Sequence, residues 1–120
     1  MVFWHLKSRR KKTGGRLKKS HKKKKYERGG YFIPTKLGKT NIKLNRVRGG
    51  GMKFKLVSAD EINVNNKKYK ITKFVENKAN FRYDRSKIIT KGAILMTEKG
   101  KVKVTSRPGQ NGVLNGIFID

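Results

Sequence analysis

The sequence contains no cysteine and only two histidines among its 120 residues. Without thiols, the chain has neither disulfide bonds nor thiolate metal sites. The two histidines, His5 and His21, have no carboxylate close to them in the sequence that could complete a zinc site. The sequence therefore predicts no metal ion and no cofactor.

Acidic residues are also scarce, with 7 Asp and Glu against 33 Lys and Arg. General acid–base catalysis needs two positioned titratable groups. Most of these acids lie beside a Lys or Arg, or in a turn, where a surface ion pair accounts for them. No Ser, His and Asp pattern typical of nucleophilic catalysis is present. We therefore predict that the chain is not an enzyme and has no small-molecule substrate.

Long hydrophobic runs are missing as well. No stretch approaches the roughly 18 apolar residues that a membrane helix needs. The apolar start, Met1–Leu6, is too short for a secretion signal, and basic residues follow it rather than precede it. An anionic membrane surface is the weaker interpretation of the charge, because no long apolar face accompanies the basic run. The sequence predicts an intracellular protein with no membrane partner.

The feature that dominates the sequence is a formal net charge of +26. Like charges brought together oppose compaction, and a polyanionic partner relieves that repulsion. Each phosphate that a Lys or Arg neutralises releases condensed counterions, which favours binding. Nucleic acid is therefore the predicted partner.

The charge is distributed unevenly. Residues 1–40 carry 15 Lys and Arg and a single acid, Glu27, whereas residues 41–120 carry 18 bases and 6 acids. The first part lacks apolar periodicity, so we predict a basic, irregular N-terminal extension over residues 1–38 that is disordered when free. Within it, residues 16–27 contain no Gly or Pro, but like charges at i,i+4 oppose a free helix. We predict that this stretch becomes helical on RNA.

From residue 41 the pattern changes to strict alternation of apolar and polar residues, as in Met52–Leu56. Such alternation predicts half-buried antiparallel strands, and glycine- and asparagine-rich turns separate them. No helix is predicted in this part. Six or seven short strands indicate an all-β fold, a small antiparallel β-barrel over residues 39–120. The predicted strands are 41–48, 52–58, 61–64, 68–76, 93–97, 101–106 and 113–119.

The extension is the main candidate for RNA binding, with a solvated localisation signal or solubility tail as the alternative. Thr13, Gly14 and Gly15 either let the backbone press its N–H groups against a phosphate or form a simple hinge. The candidate RNA-binding residues here are Lys7, Arg9, Arg10, Lys11, Lys12, Thr13, Gly14, Gly15, Arg16, Lys18, Lys19, His21, Lys22, Lys23, Lys24, Lys25 and Arg28.

Three segments of the second part are further candidates, each with a structural alternative. Residues 46–51 place arginines before a glycine turn, which we expect to be a hairpin turn first. Residues 81–85 interleave aromatics with arginines, as in base stacking, although Phe81 could instead pack on the barrel wall. Residues 107–112 form a rigid turn that is either a recognition loop or a plain connection. The candidate residues are Arg46, Arg48, Lys53, Arg82, Tyr83, Arg85, Lys91, Arg107, Gln110 and Asn111.

Two sets of sequence motifs carry more information than the composition does. Residues 10–15 end in Thr-Gly-Gly and are followed by the basic run 22–29, and the segments 77–80, 88–94 and 104–113 include Ile-Ile-Thr-Lys-Gly and Thr-Ser-Arg-Pro-Gly-Gln. Over nearly its whole length the chain resembles the eS-eight family of archaeal and eukaryotic small-subunit ribosomal proteins, in its short archaeal form. Arg28 departs from the Leu or Met that is usual before this glycine.

The resemblance implies a β-barrel with an N-terminal extension, both bound to small-subunit rRNA. It further implies a structural constituent of the cytoplasmic ribosome, with ribosomal proteins as neighbours. Composition alone leaves two alternatives open, a general nucleic-acid-compacting protein and a free RNA chaperone. A long basic arm favours folded RNA over duplex DNA, because an arm can thread between RNA helices.

Overall fold

The computed structural model describes residues 3–119, and the chain divides into two compact units, Met1–Phe32 and Ile33–Asp120. In the first unit, strand β1 (Phe3–Trp4) pairs antiparallel with β2 (Arg28–Gly29), and a 3-10 turn spans Lys25–Glu27. None of residues 3–32 is buried. This unit therefore has no hydrophobic core.

The second unit consists mostly of strands arranged in two sheets. Its elements are β3 Lys36–Leu37, β4 Asn41–Arg46, β5 Met52–Ala59, β6 Glu61–Val64, β7 Lys67–Glu76, α1 Phe81–Arg85, β8 Ile94–Thr97, β9 Gly100–Val104, α2 Pro108–Asn111 and β10 Gly116–Phe118, with a 3-10 turn at Arg48–Gly50. In the smaller sheet, the order is β3-β5-β4: β5 pairs in parallel with β3 and antiparallel with β4. The larger sheet is antiparallel, with the order β10-β9-β8-β7-β6.

The five-stranded sheet is nearly closed and barrel-like. Its two outer strands approach each other at a parallel bridge between Asn63 and Asn115. There the Asn63 N–H donates to the Leu114 carbonyl at 2.9 Å, and the two asparagine side chains bond at 3.1 Å. A Cβ on Gly116 would overlap the backbone oxygen of Lys103, which it would meet at 2.8 Å. The lack of a side chain at Gly116 is therefore part of how the sheet closes.

The core lies inside this sheet and beneath β5. In β6, β8 and β9 alternate residues point inward, so that every second side chain is buried. The rest of the core comes from short segments just before β8 and β10. The buried apolar residues are Leu56, Ala59, Ile62, Val64, Ile88, Ile89, Ala93, Leu95, Val102, Val104 and Leu114.

Each of the seven strands expected from residue 41 onward corresponds to an observed strand, with ends that differ by a few residues. The expectation that this part contains no helix is wrong, since α1 and α2 both lie in it. Each helix is only about one turn long, and so has no apolar periodicity to detect: α1 follows the capping residue Asn80, and α2 begins at Pro108. The contacts group residues 33–38 with the second unit. The predicted limit at residue 38 concerns order in the free chain and stays a prediction.

Candidate nucleic-acid interface

Residues 9–17 of the first unit form a short basic hairpin. The Lys11 N–H donates to the Gly15 carbonyl at 2.8 Å, and the Gly14 N–H donates back to the Lys11 carbonyl at 3.0 Å. Gly14 has φ +85°, and a Cβ placed there would meet nothing within 4 Å. Glycine is thus needed for its left-handed conformation rather than for space. The space beside the Gly14 Cα is therefore open.

The two sides of this basic hairpin bring like charges together. Arg10 and Arg16 face each other across an antiparallel bridge, and the Leu17 N–H donates to the Arg9 carbonyl at 2.8 Å. Like charges directly opposite each other destabilise a strand pair. One contact partly offsets the repulsion between the two arginines, because Arg10 Nη1 donates to the Gly14 carbonyl at 2.8 Å. A phosphate between the arginines would turn the repulsion into binding.

The single acid of the extension, Glu27, organises the next segment. One of its oxygens lies 3.2 Å from His21 Nε2, and the other accepts from the Lys24 N–H at 3.1 Å. The Glu27 N–H in turn donates to the Lys24 carbonyl at 3.0 Å. Residues 21–27 are therefore held as a loop, with a 3-10 turn at its end. Apart from this turn, residues 16–27 contain no helix, and the helix expected on RNA stays a prediction.

Aromatic rings of the first unit contact its own lysines and one another. Lys23 Nζ lies 5.3 Å from the Trp4 ring centroid, and Lys24 Nζ lies 5.7 Å from that of Tyr26. Phe3 meets Tyr31 edge to face at 5.4 Å. These contacts fix the two lysines without neutralising them, because a ring face carries no net charge.

All of the candidate RNA-binding residues in the extension are exposed. Even if every acidic side chain of the protein took one base, 26 of the 33 basic side chains would have none. The extension therefore presents its charge to solvent. The residues in question are Lys7, Arg9, Arg10, Lys11, Lys12, Thr13, Gly14, Gly15, Arg16, Lys18, Lys19, His21, Lys22, Lys23, Lys24, Lys25 and Arg28.

In the second unit, a hydrogen-bond network built on Asn77 holds the loop that carries α1. The Asn77 Nδ2 group donates to the Ile88 carbonyl at 2.8 Å and to Thr90 Oγ1 at 2.9 Å. Its backbone N–H donates to Asp84 Oδ1 at 2.8 Å. Asn80 caps α1, since its side chain accepts from the Arg82 N–H at 2.8 Å. This hydrogen-bond network thus joins two of the sequence motifs that the chain shares with its family, 77–80 and 88–94.

The aromatic side chains of helix α1 differ in their exposure to solvent. Phe81 is 74% exposed, so it does not pack on the barrel wall. The Arg82 guanidinium carbon lies 5.8 Å from its ring centroid. Tyr83 is half-buried, whereas Arg82 and Arg85 are exposed. The exposed ring of Phe81, which the sequence left undecided, joins the candidate site as a stacking surface.

The loop 107–112 follows β9 and lies against β5. The Ser106 hydroxyl donates to the Val113 carbonyl at 2.9 Å and accepts from the Asn115 N–H at 2.9 Å. Gly112 caps α2 with φ +72°, and a Cβ there would lie 2.6 Å from Phe54 Cβ. Arg107, Gln110 and Asn111 are exposed, and so is Lys91, just before the Gly92 turn.

The β4–β5 hairpin separates the three remaining candidates. Arg46 pairs across from Met52, on the same face as the apolar residues of β4, whereas Lys53 pairs across from Asn45 on the other face. Arg48 lies in the 3-10 turn at the tip, and Gly49 there has φ +84°. The glycines thus form the expected hairpin turn, but the strands are less buried than expected, since all of β4 is exposed.

Sequence reasoning missed a basic face on the five-stranded sheet. Lys73 and Lys101 each pair with Met96 of β8 from either side, and Lys103 pairs with Ile94. All three lysines are exposed. Lys73 of β7 shares this face with Lys101 and Lys103 of β9 because a bulge in β7, between Ile71 and Lys73, shifts its register. The alternation of Lys with Val in residues 101–104 indicated the β9 part of this basic face. The bulge that adds Lys73 to it is not visible in the sequence.

Other kinds of site are not supported by the described part of the chain. Across residues 3–119 there is no group of three or more His, Cys, Asp and Glu side chains that could hold a metal ion. Within the same residues, no helix is both long enough and apolar enough to cross a membrane. The pKa of Asp60 is lowered for a structural reason: the Thr40 hydroxyl donates to Asp60 Oδ1 at 2.6 Å.

The chain is similar to proteins of a known family. The model of the family described as ribosomal protein S8e matches residues 4–119. Three archaeal relatives, each described as small ribosomal subunit protein eS8, are similar over most of their length. The one from Methanococcus aeolicus is 48% identical (100% of this chain and 99% of the relative). Those from Methanocorpusculum labreanum and Nanoarchaeum equitans are 42% identical (99% and 100%) and 46% identical (89% and 89%).

Proposed function

Since the chain belongs to the ribosomal protein S8e family, and is a structural, non-enzymatic protein of the small ribosomal subunit, we propose that it binds and stabilises small-subunit rRNA. Its partners lie within the small ribosomal subunit, in the cytoplasmic ribosome. Among them we propose rRNA and neighbouring ribosomal proteins.

One observation carries the proposal. Thirteen Lys and Arg fall within residues 1–32 with one acid, and no residue from 3 to 32 is buried. A segment without a core cannot offset the repulsion of its charges by burying apolar surface. It needs a dense polyanion to hold a single conformation. Phosphate backbone on several sides of the extension, residues 1–38, supplies that charge.

The second unit supports the same partner through its exposed loops. Helix α1 offers the Phe81 ring and two arginines, and the loop 107–112 offers Arg107 with two amides. Aromatic faces stack on unpaired bases, and guanidinium groups pair with the flanking phosphates. The specificity then arises from RNA shape and a few exposed bases, while the extension supplies affinity.

The mechanism is electrostatic. Positive charge placed between RNA segments lets their phosphates approach, and the counterions released on binding favour the complex. The RNA orders the extension as it binds, so that folding of this segment and assembly are coupled. A single lysine matters little in such a collective effect, because its neighbours can take over its phosphate.

Binding across a salt series tests the proposal. The full chain is titrated with small-subunit rRNA and, separately, with duplex DNA of equal phosphate content, from about 50 to 500 mM salt. We expect steep salt dependence with both, and a preference for rRNA that persists at high salt, where only contacts other than simple charge remain. Equal affinity for rRNA and DNA at every salt concentration would contradict the proposal and favour a general nucleic-acid-compacting protein.

A further inference from the structure

The β4–β5 hairpin carries a group of apolar side chains outside the core. Ile42, Leu44, Met52 and Phe54 lie on one of its faces and are 42%, 54%, 54% and 48% exposed. Leu44 lies directly opposite Phe54 in the strand register, and Met52 is two residues away from it on the same strand. Phe54 is the one aromatic residue of the four. Its ring therefore lies within an apolar surround.

The loop 107–112 covers one end of Phe54 and leaves the other end exposed. A Cβ on Gly112 would lie 2.6 Å from Phe54 Cβ and 3.2 Å from the Phe54 carbonyl oxygen, so the loop contacts this residue on its backbone side. Because Phe54 still exposes 48% of its surface, the exposed part is mainly the ring. Gln110 and Asn111 directly precede Gly112 and are exposed as well. The loop thus brings two side-chain amides next to the hairpin.

Positive charge adjoins this apolar surface. Arg46 pairs across from Met52 on the same face, which makes it a diagonal neighbour of Phe54. Diagonal neighbours are about 7–8 Å apart, within reach of a long side chain. The segments that form the surface, residues 41–59 and 99–119, contain no Asp or Glu. A partner that covers the ring therefore has to supply the negative charge itself.

An unpaired nucleotide combines all the groups that this surface can bind. Bases stack on aromatic rings, and guanidinium groups such as that of Arg107, exposed at the start of the loop, pair with phosphates. Side-chain amides both donate to and accept from the polar edge of a base. A base within a duplex is stacked on both faces and has to leave the helix before it can reach a ring. The surface therefore fits single-stranded rather than paired RNA.

We propose that Phe54, Arg46 and the loop 107–112 form a binding site for an unpaired base of the rRNA. The base stacks on the Phe54 ring, the amides of Gln110 and Asn111 bond to its edge, and Arg46 and Arg107 pair with the flanking phosphates. The inference rests on the proposed function and deepens it, because it names the kind of nucleotide that this part of the second unit holds.

Removing the ring while keeping an apolar side chain tests the stacking. Phe54→Leu changes a half-exposed residue, so the fold should survive, which circular dichroism checks. We expect the affinity of the full chain for small-subunit rRNA to fall by roughly 5- to 150-fold, the range typical of one stacked base. The factor should be the same at every salt concentration, because stacking releases no counterions. Phe54→Tyr keeps a ring and should stay within about twofold of wild type.

Two further variants separate stacking from charge and from the mere loss of a ring. Arg46→Gln should reduce the salt slope by about 1, as expected for a phosphate contact. Phe118→Leu is the matched control, since it removes a ring that meets Tyr69 edge to face at 5.4 Å. It should leave the rRNA affinity within about twofold of wild type. Unchanged affinity for Phe54→Leu, or a loss no larger than that of Phe118→Leu, would overturn the inference.

Photocross-linking identifies the partner of the ring directly. In the full chain, p-azidophenylalanine replaces Phe54 or, as the control, Phe118, and each chain is irradiated with small-subunit rRNA, alone and within reconstituted subunits. Primer extension maps the linked nucleotide, and chemical probing of the rRNA shows whether its base is paired. We expect position 54 to react with an unpaired base with which position 118 does not react. Reaction of position 54 with paired RNA alone, or with protein in the subunits, would overturn the inference.

The outcomes keep the two proposals apart. If wild type binds rRNA no better than duplex DNA at every salt concentration, the proposed function fails, and this inference fails with it. If wild type prefers rRNA but the changes at Phe54 leave its affinity unaltered, the inference alone fails.

Discussion

The two units of the chain solve the problem of excess charge in opposite ways. The second unit separates charge from core: its strands alternate, so Val102 and Val104 are buried while Lys101 and Lys103 are exposed. The first unit has no buried residue among residues 3–32 and is held by backbone hydrogen bonds and ring contacts. Charge on one face permits an independent fold, whereas we propose that charge on all sides makes the fold of the first unit depend on its partner.

Removing the first unit should have the largest effect, because it should separate rRNA binding from stability. A chain of residues 33–120 lacks thirteen of the bases but keeps every buried side chain that the structure describes. We expect its affinity for small-subunit rRNA to fall by about a thousandfold or more, and its salt dependence to flatten by about 0.7 to 0.9 for each phosphate that is no longer neutralised. Thermal unfolding followed by circular dichroism should remain cooperative, as the control. Unchanged affinity would place the binding energy in the second unit instead.

Core truncation should show that stability resides in the second unit. Leu95 is fully buried, at 0% exposure, and Leu17 is 46% exposed. Leu95→Ala should lower the free energy of unfolding by about 2–5 kcal/mol, because it leaves a cavity. Leu17→Ala should change it by no more than about 0.5 kcal/mol. Urea titration measures both variants, and a cost of several kcal/mol for Leu17→Ala would reveal a core in the first unit.

Two glycines with positive φ sharpen the contrast at the backbone. At Gly112 (φ +72°) a Cβ would lie 2.6 Å from Phe54 Cβ, but at Gly14 (φ +85°) it would meet nothing within 4 Å. Gly112→Ala therefore adds overlap to backbone strain and should cost about 2–4 kcal/mol of unfolding free energy. Gly14→Ala should leave unfolding unchanged and weaken rRNA binding by several-fold, since about 1–2 kcal/mol of strain falls on the hairpin turn. The reverse assignment would contradict the comparison.

Sequence reasoning performs differently in the two units for a physical reason. Strand alternation is a local consequence of burying one face, so the strands of the second unit could be predicted from residue 41 onward. The single-turn helices α1 and α2 depend on capping by Asn80 and on Pro108, which leave no periodic pattern. The register of the Lys73 face depends on a bulge, and the exposure of Phe54 depends on how far the hairpin extends beyond the core.

In the first unit, composition predicts charge but not geometry. The pairing of Arg10 with Arg16 and the contacts of Glu27 with His21 arise from a turn and from a loop closure. Neither is encoded in apolar spacing. The family phrases could be recognised without their structural roles, such as the Asn77 network that joins residues 77–80 to residues 88–90. Whether each candidate residue contacts RNA stays a prediction.

A single lysine of the extension should have a small effect. Lys19 is exposed and lies among many other bases, so we expect Lys19→Ala to weaken rRNA binding by about threefold or less and to reduce the salt slope by about 1 at most. Replacing Lys22, Lys23, Lys24 and Lys25 with Ala together should weaken rRNA binding far more, because four adjacent charges are lost at once. A loss of 100-fold from Lys19→Ala alone would indicate a specific pocket rather than collective neutralisation.

The smallest effect should be a local one at the start of the second unit. The Thr40 hydroxyl is the main cause of the lowered pKa of Asp60, followed by a backbone hydrogen bond. Because the folded pKa lies below the unfolded value, this group stabilises the fold above pH 3.8, and the contribution is lost as the pH falls through the folded pKa. Thr40→Val should raise the pKa of Asp60 toward 3.8, measured by an NMR titration of its carboxyl carbon. Lys70→Gln is the control, because Lys70 is the weakest of the causes that lower it and should change the pKa less. A larger pKa shift from Lys70→Gln than from Thr40→Val would contradict this prediction. It would show that the charge of Lys70, and not the Thr40 hydroxyl, mainly lowers the pKa of Asp60, although the second unit has fewer bases per residue than the first.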